Sequence, residues 1–88
     1  MRCMITIHFH LQQLTAQQQT EMAALIPREQ AHIKELREKG LVEAIYISTD
    51  RSSVWVVMRG ESLEQIQDEL KSFPLYPYME PTFTSLLD

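Results

Sequence analysis

One cysteine, Cys3, stands in the 88 residues, so no disulfide can close within the chain. That usage suits the reducing setting of the cytoplasm. No apolar run approaches the ~18 residues of a membrane span, and no charged segment followed by an apolar core marks a secretory leader. The expectation is a cytoplasmic protein without a membrane partner. Basic residues are scarce where a polyanion would need them: from Gly60 onward Lys71 stands alone against Glu61, Glu64, Asp68, Glu69, Glu80 and Asp88, and the net charge is −4. Phosphate binding needs clustered Lys and Arg, so nucleic acid is excluded as a partner. Repeats, linkers and low-complexity tails are missing too, apart from glutamines at 12, 13 and 17 to 19, which read as loop and exposed helix surface.

What is present reads as one domain over residues 1–88. A chain this short has a marginal core of its own, and a partner surface would help it. The segment from Met4 to His10 alternates, with Ile5, Ile7 and Phe9 on one face and Met4, Thr6, His8 and His10 on the other, which predicts a strand with one apolar and one mixed face. His8 and His10 would then project together, ~7 Å apart by strand rise. That spacing is compatible with a metal, but a site needs three or four ligands. The other reading is a solvated or hydrogen-bonded pair facing a pocket or a partner protomer, and no metal is assigned.

Thr15-Ala16-Gln17-Gln18 has the form of a capping box. Met22, Leu25, Ile26, Ile33 and Leu36 recur at helical spacing and Gly40 closes the run, so a helix is predicted from about Ala16 to Lys39. Pro27 falls inside it, where a kink or a restart is expected. At ~100° per residue the apolar positions form one stripe, and Glu29 falls near its centre. A carboxylate there is costly unless it is paired, solvated by a cavity or protonated. Two readings stay open. Glu29 is a general acid/base whose pKa burial raises, or it caps N–H groups freed by a helix restart at Pro27.

Leu41–Ser48 alternates as a strand, with Val42, Ala44 and Tyr46 opposite Glu43, Ile45 and Ile47. The polar turn at 49–52 joins it to a second strand, Ser53–Arg59, as a hairpin. Trp55 on that strand either lines a ligand cavity or packs in a core or dimer contact. Ser62-Leu63-Glu64-Gln65 opens a second helix as a capping box, with Leu63, Ile66, Leu70 and Phe73 on its apolar side. Pro74 ends that helix, and Thr82–Leu87 supplies a last edge strand after Pro81. The order is the βαββαβ of a ferredoxin-like α+β fold: a four-stranded antiparallel sheet with two helices on one face.

Between the second helix and the last strand runs Phe73-Pro74-Leu75-Tyr76-Pro77-Tyr78-Met79-Glu80-Pro81. The prolines push Phe73 and Tyr76 toward extended geometry, predicting a stiff extended connection. Its aromatics are too apolar to leave wet, so Tyr76 and Tyr78 are expected at the rim of the cavity that Glu29 faces.

Pro74 to Glu80 resembles the Leu-Pro-Leu-aromatic-Pro-Tyr-Met-acidic run of the muconolactone isomerase family. Glu35-Leu36-Arg37-Glu38-Lys39-Gly40, with Glu29 upstream, is similar to the helix end of that family, so the likeness spans about Thr15 to Leu86. The resemblance implies a dimeric α/β barrel, sometimes in larger rings, formed by stacking the uncovered sheet faces that carry Met4, Thr6, His8, Tyr46 and Trp55. It implies a cofactor-independent isomerase moving a proton on a small unsaturated lactone, with Glu29 as the acid/base. The candidate ligand contacts are His8, Tyr46, Trp55, Tyr76 and Tyr78, and the expected partners are a small molecule and a second copy of the chain. The family's Lys beside that Glu is Gln30 here, and its Trp-Arg-His-Leu-Trp strand is Val42-Glu43-Ala44-Ile45-Tyr46. Those changes remove basic groups and point to a relative working on a less anionic substrate, with Arg28, His32, Arg59 and His8 left as anchors. The alternatives are a non-catalytic binding or oligomer-forming module, or a metal-dependent variant in which His32 or Glu29 joins His8 and His10.

Overall fold

The computed structural model describes Met1–Leu87. Its elements are β1 (Arg2–His8), α1 (Ala16–Glu38), β2 (Val42–Ile47), β3 (Ser53–Arg59), α2 (Leu63–Lys71) and β4 (Glu80–Leu86), in the expected βαββαβ order. The strands form one sheet in the order β2-β3-β1-β4, antiparallel throughout. This is the ferredoxin-like α+β arrangement. Among the described residues no helix is long and apolar enough to cross a membrane.

The alternation of β1 fixes which face is covered. Cys3, Ile5 and Ile7 are buried, and β3 sets Met58, Val56 and Val54 opposite them. Leu36 of α1 and Ile66 and Leu70 of α2 close over this layer, all essentially inaccessible to water. The strand ends at His8, two residues before the predicted limit. His10 therefore leaves the sheet and pairs with Glu80, while His8 meets Ser53 Oγ at 3.2 Å. The two imidazoles do not share a strand face. Among the described residues no three His, Cys, Asp or Glu side chains converge as a metal site.

Strict alternation also fails in β2. The register shifts between Val42 and Ala44, and this bulge turns Val42 into the core, 3% exposed, on the side of Ile45 and Ile47. A bulge inserts one residue and so reverses the faces on either side of it. Glu43 and Ala44 are left on the open face.

Helix α1 opens with the predicted box: Thr15 Oγ1 accepts from Gln18 N–H at 3.1 Å, and Gln18 Oε1 accepts from Thr15 N–H at 2.9 Å. It closes on Gly40 at φ 77°, with Leu41 N–H donating to Leu36 O and Gly40 N–H to Arg37 O, the paired bonds of a Schellman ending. There is no restart at Pro27, since the helix runs through it without interruption. Pro27 and Ala23 both face solvent, so water can satisfy the Ala23 carbonyl that the missing N–H leaves open. At α2 the box is only half made. Ser62 Oγ accepts from Gln65 N–H at 3.1 Å, but the Gln65 side chain accepts from Glu61 N–H instead of Ser62 N–H.

The proline-rich segment is not extended. It coils through turns at 72–75 into a 3-10 turn, Tyr76–Tyr78, held by Tyr76 N–H to Phe73 O at 2.9 Å and Tyr78 N–H to Leu75 O at 2.9 Å. Each of these bonds spans a proline, Pro74 in the first and Pro77 in the second. Pro77 fits early in the turn, where its missing N–H has no intra-turn acceptor to lose. β4 then starts at Glu80 and carries Pro81 at the sheet edge, where the ladder tolerates it.

Candidate active site

The coiled segment turns Leu75 inward, and this is what builds the site. Leu75 is 7% exposed and its N–H donates to Glu29 Oε1 at 3.3 Å. Glu29 is likewise 7% exposed, and it is the one charged residue among the buried side chains of the described chain. Burial pushes its carboxyl above the ordinary glutamate value; the Leu75 N–H pulls it back by a smaller amount. No cation pairs with it among the described residues. The partner of Glu29 is thus a backbone group 46 positions away in sequence, not the helix N–H groups that a restart at Pro27 would free.

Beside Glu29 lies a cavity of about 440 Å³ between α1 and the covered face of the sheet. Ile7, Val54 and Val56 form its floor, Ile33 a wall, and Leu75 and Met79 an end. The polar lining consists of Glu29, Gln30, Ser48 and Arg51. An apolar chamber of a few hundred Å³ with a few polar groups has the dimensions of a small-molecule site. In a low-dielectric space a carboxyl that cycles between protonated and ionised forms can donate and withdraw a proton at a carbon held against it.

Of the candidate catalytic and ligand-contact residues read from sequence, Glu29 borders this cavity, and His8, Tyr46, Trp55, Tyr76 and Tyr78 do not. Tyr76 and Tyr78 are half-buried against the core. Tyr78 lines a neighbouring cleft with His10 and Glu80, because the 3-10 turn rotates the rings away from the side on which Leu75 and Met79 face Glu29. His8 and Trp55 lie on the opposite, uncovered face of the sheet, as does Tyr46, which is 62% exposed and sits across from Trp55. Strand alternation puts them there once Ile5, Ile7, Val54 and Val56 take the covered side.

The proposed anchors are also engaged elsewhere. Arg59 Nε donates to Glu43 Oε1 at 3.0 Å and Arg2 Nη2 to Glu43 Oε2 at 2.6 Å, on the open face. Glu43 therefore does not repel an anion from the Glu29 cavity; the sheet separates them and two guanidinium groups clasp it, holding its carboxyl below the ordinary value. His32 Nε2 meets Ser72 Oγ at 2.8 Å and its ring stands edge-on to Phe73, with centroids 5.2 Å apart, pinning the end of α2 to α1. Arg28 faces solvent. Arg51 of the β2–β3 turn is the cavity cation, and alternation could not reveal it, because a turn residue has no strand face.

The sequence matches the family model described as muconolactone delta-isomerase over residues 1–88. No curated protein sequence matches the chain. Among solved structures it is similar to a crystal structure of muconolactone isomerase, with TM-score 0.82 and 18% identity over 100% of this chain and 90% of that one. It is also similar to 5-chloro-2-hydroxyhydroquinone dehydrochlorinase from Burkholderia phenoliruptrix AC1100 in complex with 2,5-dihydroxybenzoquinone, with TM-score 0.67 and 12% identity over 99% and 94%. The first likeness extends the shared fold to every strand and helix described above, and with the family match over its whole length the chain belongs to the muconolactone delta-isomerase family.

Proposed function

We propose that the protein is a cofactor-independent isomerase or related enzyme of small-molecule metabolism, acting on a lactone-like or aromatic-derived unsaturated compound by proton transfer through Glu29. One observation carries the reading: a buried carboxyl without a cationic partner, 7% exposed, borders an apolar cavity. Desolvation raises its pKa toward the working range of an acid/base group. The solved relatives add support, since one is a muconolactone isomerase and another a dehydrochlorinase holding a quinone. Incubating the protein in D2O with a panel of small unsaturated lactones and following substrate C–H exchange by proton NMR tests it. The wild type should exchange at least one substrate, and Glu29→Gln should slow that exchange by about 10²-fold or more. A Glu29→Gln variant as fast as wild type would contradict the assignment.

A second reading has its own observation. The Leu75 N–H bond lets Glu29 serve as a strut between α1 and the proline-rich segment, and a non-catalytic binding module would need no more. In either case we propose a homodimer or a larger assembly of dimers in the cytoplasm, joined through the uncovered sheet face. Tyr46 is 62% exposed there and Trp55, Met4 and Thr6 lie beside it half-buried, apolar area that a second sheet would cover. Light scattering at micromolar concentration should report twice the 10.3 kDa chain mass or a multiple of it; a monomer would remove this part of the proposal.

A further inference from the structure

The turn joining β2 to β3 holds Arg51 at φ 64°, in the left-handed region that side-chain-bearing residues avoid and that glycine or asparagine would occupy without penalty. The strain is held by the turn around it. Asp50 Oδ1 accepts from Ser48 Oγ at 2.8 Å, from Ser52 N–H at 3.0 Å and from Ser52 Oγ at 2.7 Å, while Arg51 N–H donates to Ser48 O at 2.9 Å. This network engages one oxygen of the Asp50 carboxylate, the nearest anion in sequence, and holds its pKa down at about 2. The Arg51 guanidinium is left without an ion pair or hydrogen bond among the described residues, and its side chain lines the cavity of Glu29. No salt bridge joins the two, though they share that space. The Arg51 side chain is exposed and water can hydrate it, so its missing partner is ordinary; what sets it apart is a left-handed backbone angle at a cavity wall, the kind of strain that gathers at ligand sites.

We propose that Arg51 is the specificity-determining residue of this cavity, holding an anionic group of the bound molecule at the β2–β3 turn while the apolar remainder lies against the sheet floor and Glu29. This rests on the cavity being the ligand site. Gln30 and Val42–Tyr46 carry no basic residue, and among the cavity's lining residues Arg51 of the β2–β3 turn supplies the positive charge. Guanidinium binds carboxylate through paired N–H donors, so a ring-sized monocarboxylate is the class that fits.

Benzoate and its neutral counterpart benzamide, titrated separately into the 15N-labelled protein and followed by amide shifts, provide the test. The wild type should bind benzoate at least about tenfold more tightly than benzamide, the discrimination expected of a charge-assisted contact, with shifts at Ser48, Ser52 and Leu75. Arg51→Gln, which keeps a long polar side chain at the same backbone angle, should bind the two probes equally, and Arg51→Lys should recover part of the preference. Arg51→Gly, free of the strain, should melt no lower than wild type and should also lose the preference, which separates charge recognition from folding. Equal binding of the probes by the wild type, an unchanged ratio in Arg51→Gln, or no saturable shift up to about 10 mM would overturn the inference. Glu29→Gln should keep the benzoate preference. A preference kept by a protein whose Glu29 titrates at the ordinary value would support Arg51 as the anchor while removing Glu29 as the acid/base.

Discussion

Glu29 and Glu43 are the same side chain in opposite electrical settings on the two sides of one sheet. Over the covered face, Glu29 has one backbone N–H at 3.3 Å and an apolar cavity beside it, and its pKa is raised. On the open face, Glu43 has Arg2 and Arg59 at 2.6 and 3.0 Å, and its pKa is lowered. The difference teaches where each charge can act. Glu43 is fully paired and fastens β1, β2 and β3 together across the open face. Glu29 remains available for a proton, because no partner neutralises it and burial disfavours its charge.

The largest effect expected from breaking this contrast comes from comparing two substitutions at position 29. Glu29→Gln keeps an acceptor for Leu75 N–H and removes the buried charge, so its melting temperature should equal or exceed that of the wild type. Glu29→Ala leaves the Leu75 N–H buried without a partner and should fall below Glu29→Gln by about 1–3 kcal/mol in urea unfolding. A Gln variant as unstable as the Ala variant would show that the charge itself is the strut, and the acid/base reading would lose its physical basis.

The same contrast gives opposite pH dependences. With a raised folded pKa, Glu29 keeps its proton in the folded state where the unfolded chain has released it. Its contribution therefore falls as pH rises from the unfolded value of ~4.3 to the folded value, and is level above that. Glu43 has a lowered folded pKa, so its stabilisation is complete above the unfolded value and is lost as pH falls through the folded one. Denaturant unfolding of wild type, Glu29→Gln and Glu43→Gln across the acidic range should separate the two. Glu29→Gln should remove the decline above pH ~4.3, and Glu43→Gln, the smaller effect at an exposed site, should flatten the acid limb. Superimposable pH profiles for all three would contradict both assignments.

How far the sequence carried depended on the regularity of each stretch. The element order, the Thr15–Gln18 box and the Gly40 ending follow from local rules that tertiary packing did not override. Glu29 was legible because a single charge interrupts a stripe of helical period. The partner of Glu29 was not legible, since Leu75 reaches it only after the proline-rich segment coils, and the restraint that prolines impose on their predecessors pointed to extension instead. The bulge at Val42/Ala44 is likewise silent in a hydrophobic pattern read with period two, and it reversed the expected faces of Val42 and Glu43. Tyr76, Tyr78, Trp55, Tyr46 and His8 drew attention as ring-bearing residues, yet side-chain direction separates them from the cavity. In the sequence Arg51 is one polar residue in a turn. Its signal is a left-handed backbone angle, which appears only in three dimensions.

The central claim is that Glu29 is a desolvated, unpaired carboxyl poised to exchange a proton. Carbon-detected NMR titration of the side-chain carboxyls tests it most directly, with Glu43 as the reference in the same sample. The account predicts that Glu29 titrates above the ~4.3 of a free glutamate and Glu43 below it. A Glu29 carboxyl that titrates at or below that value, alongside Glu43, would contradict it.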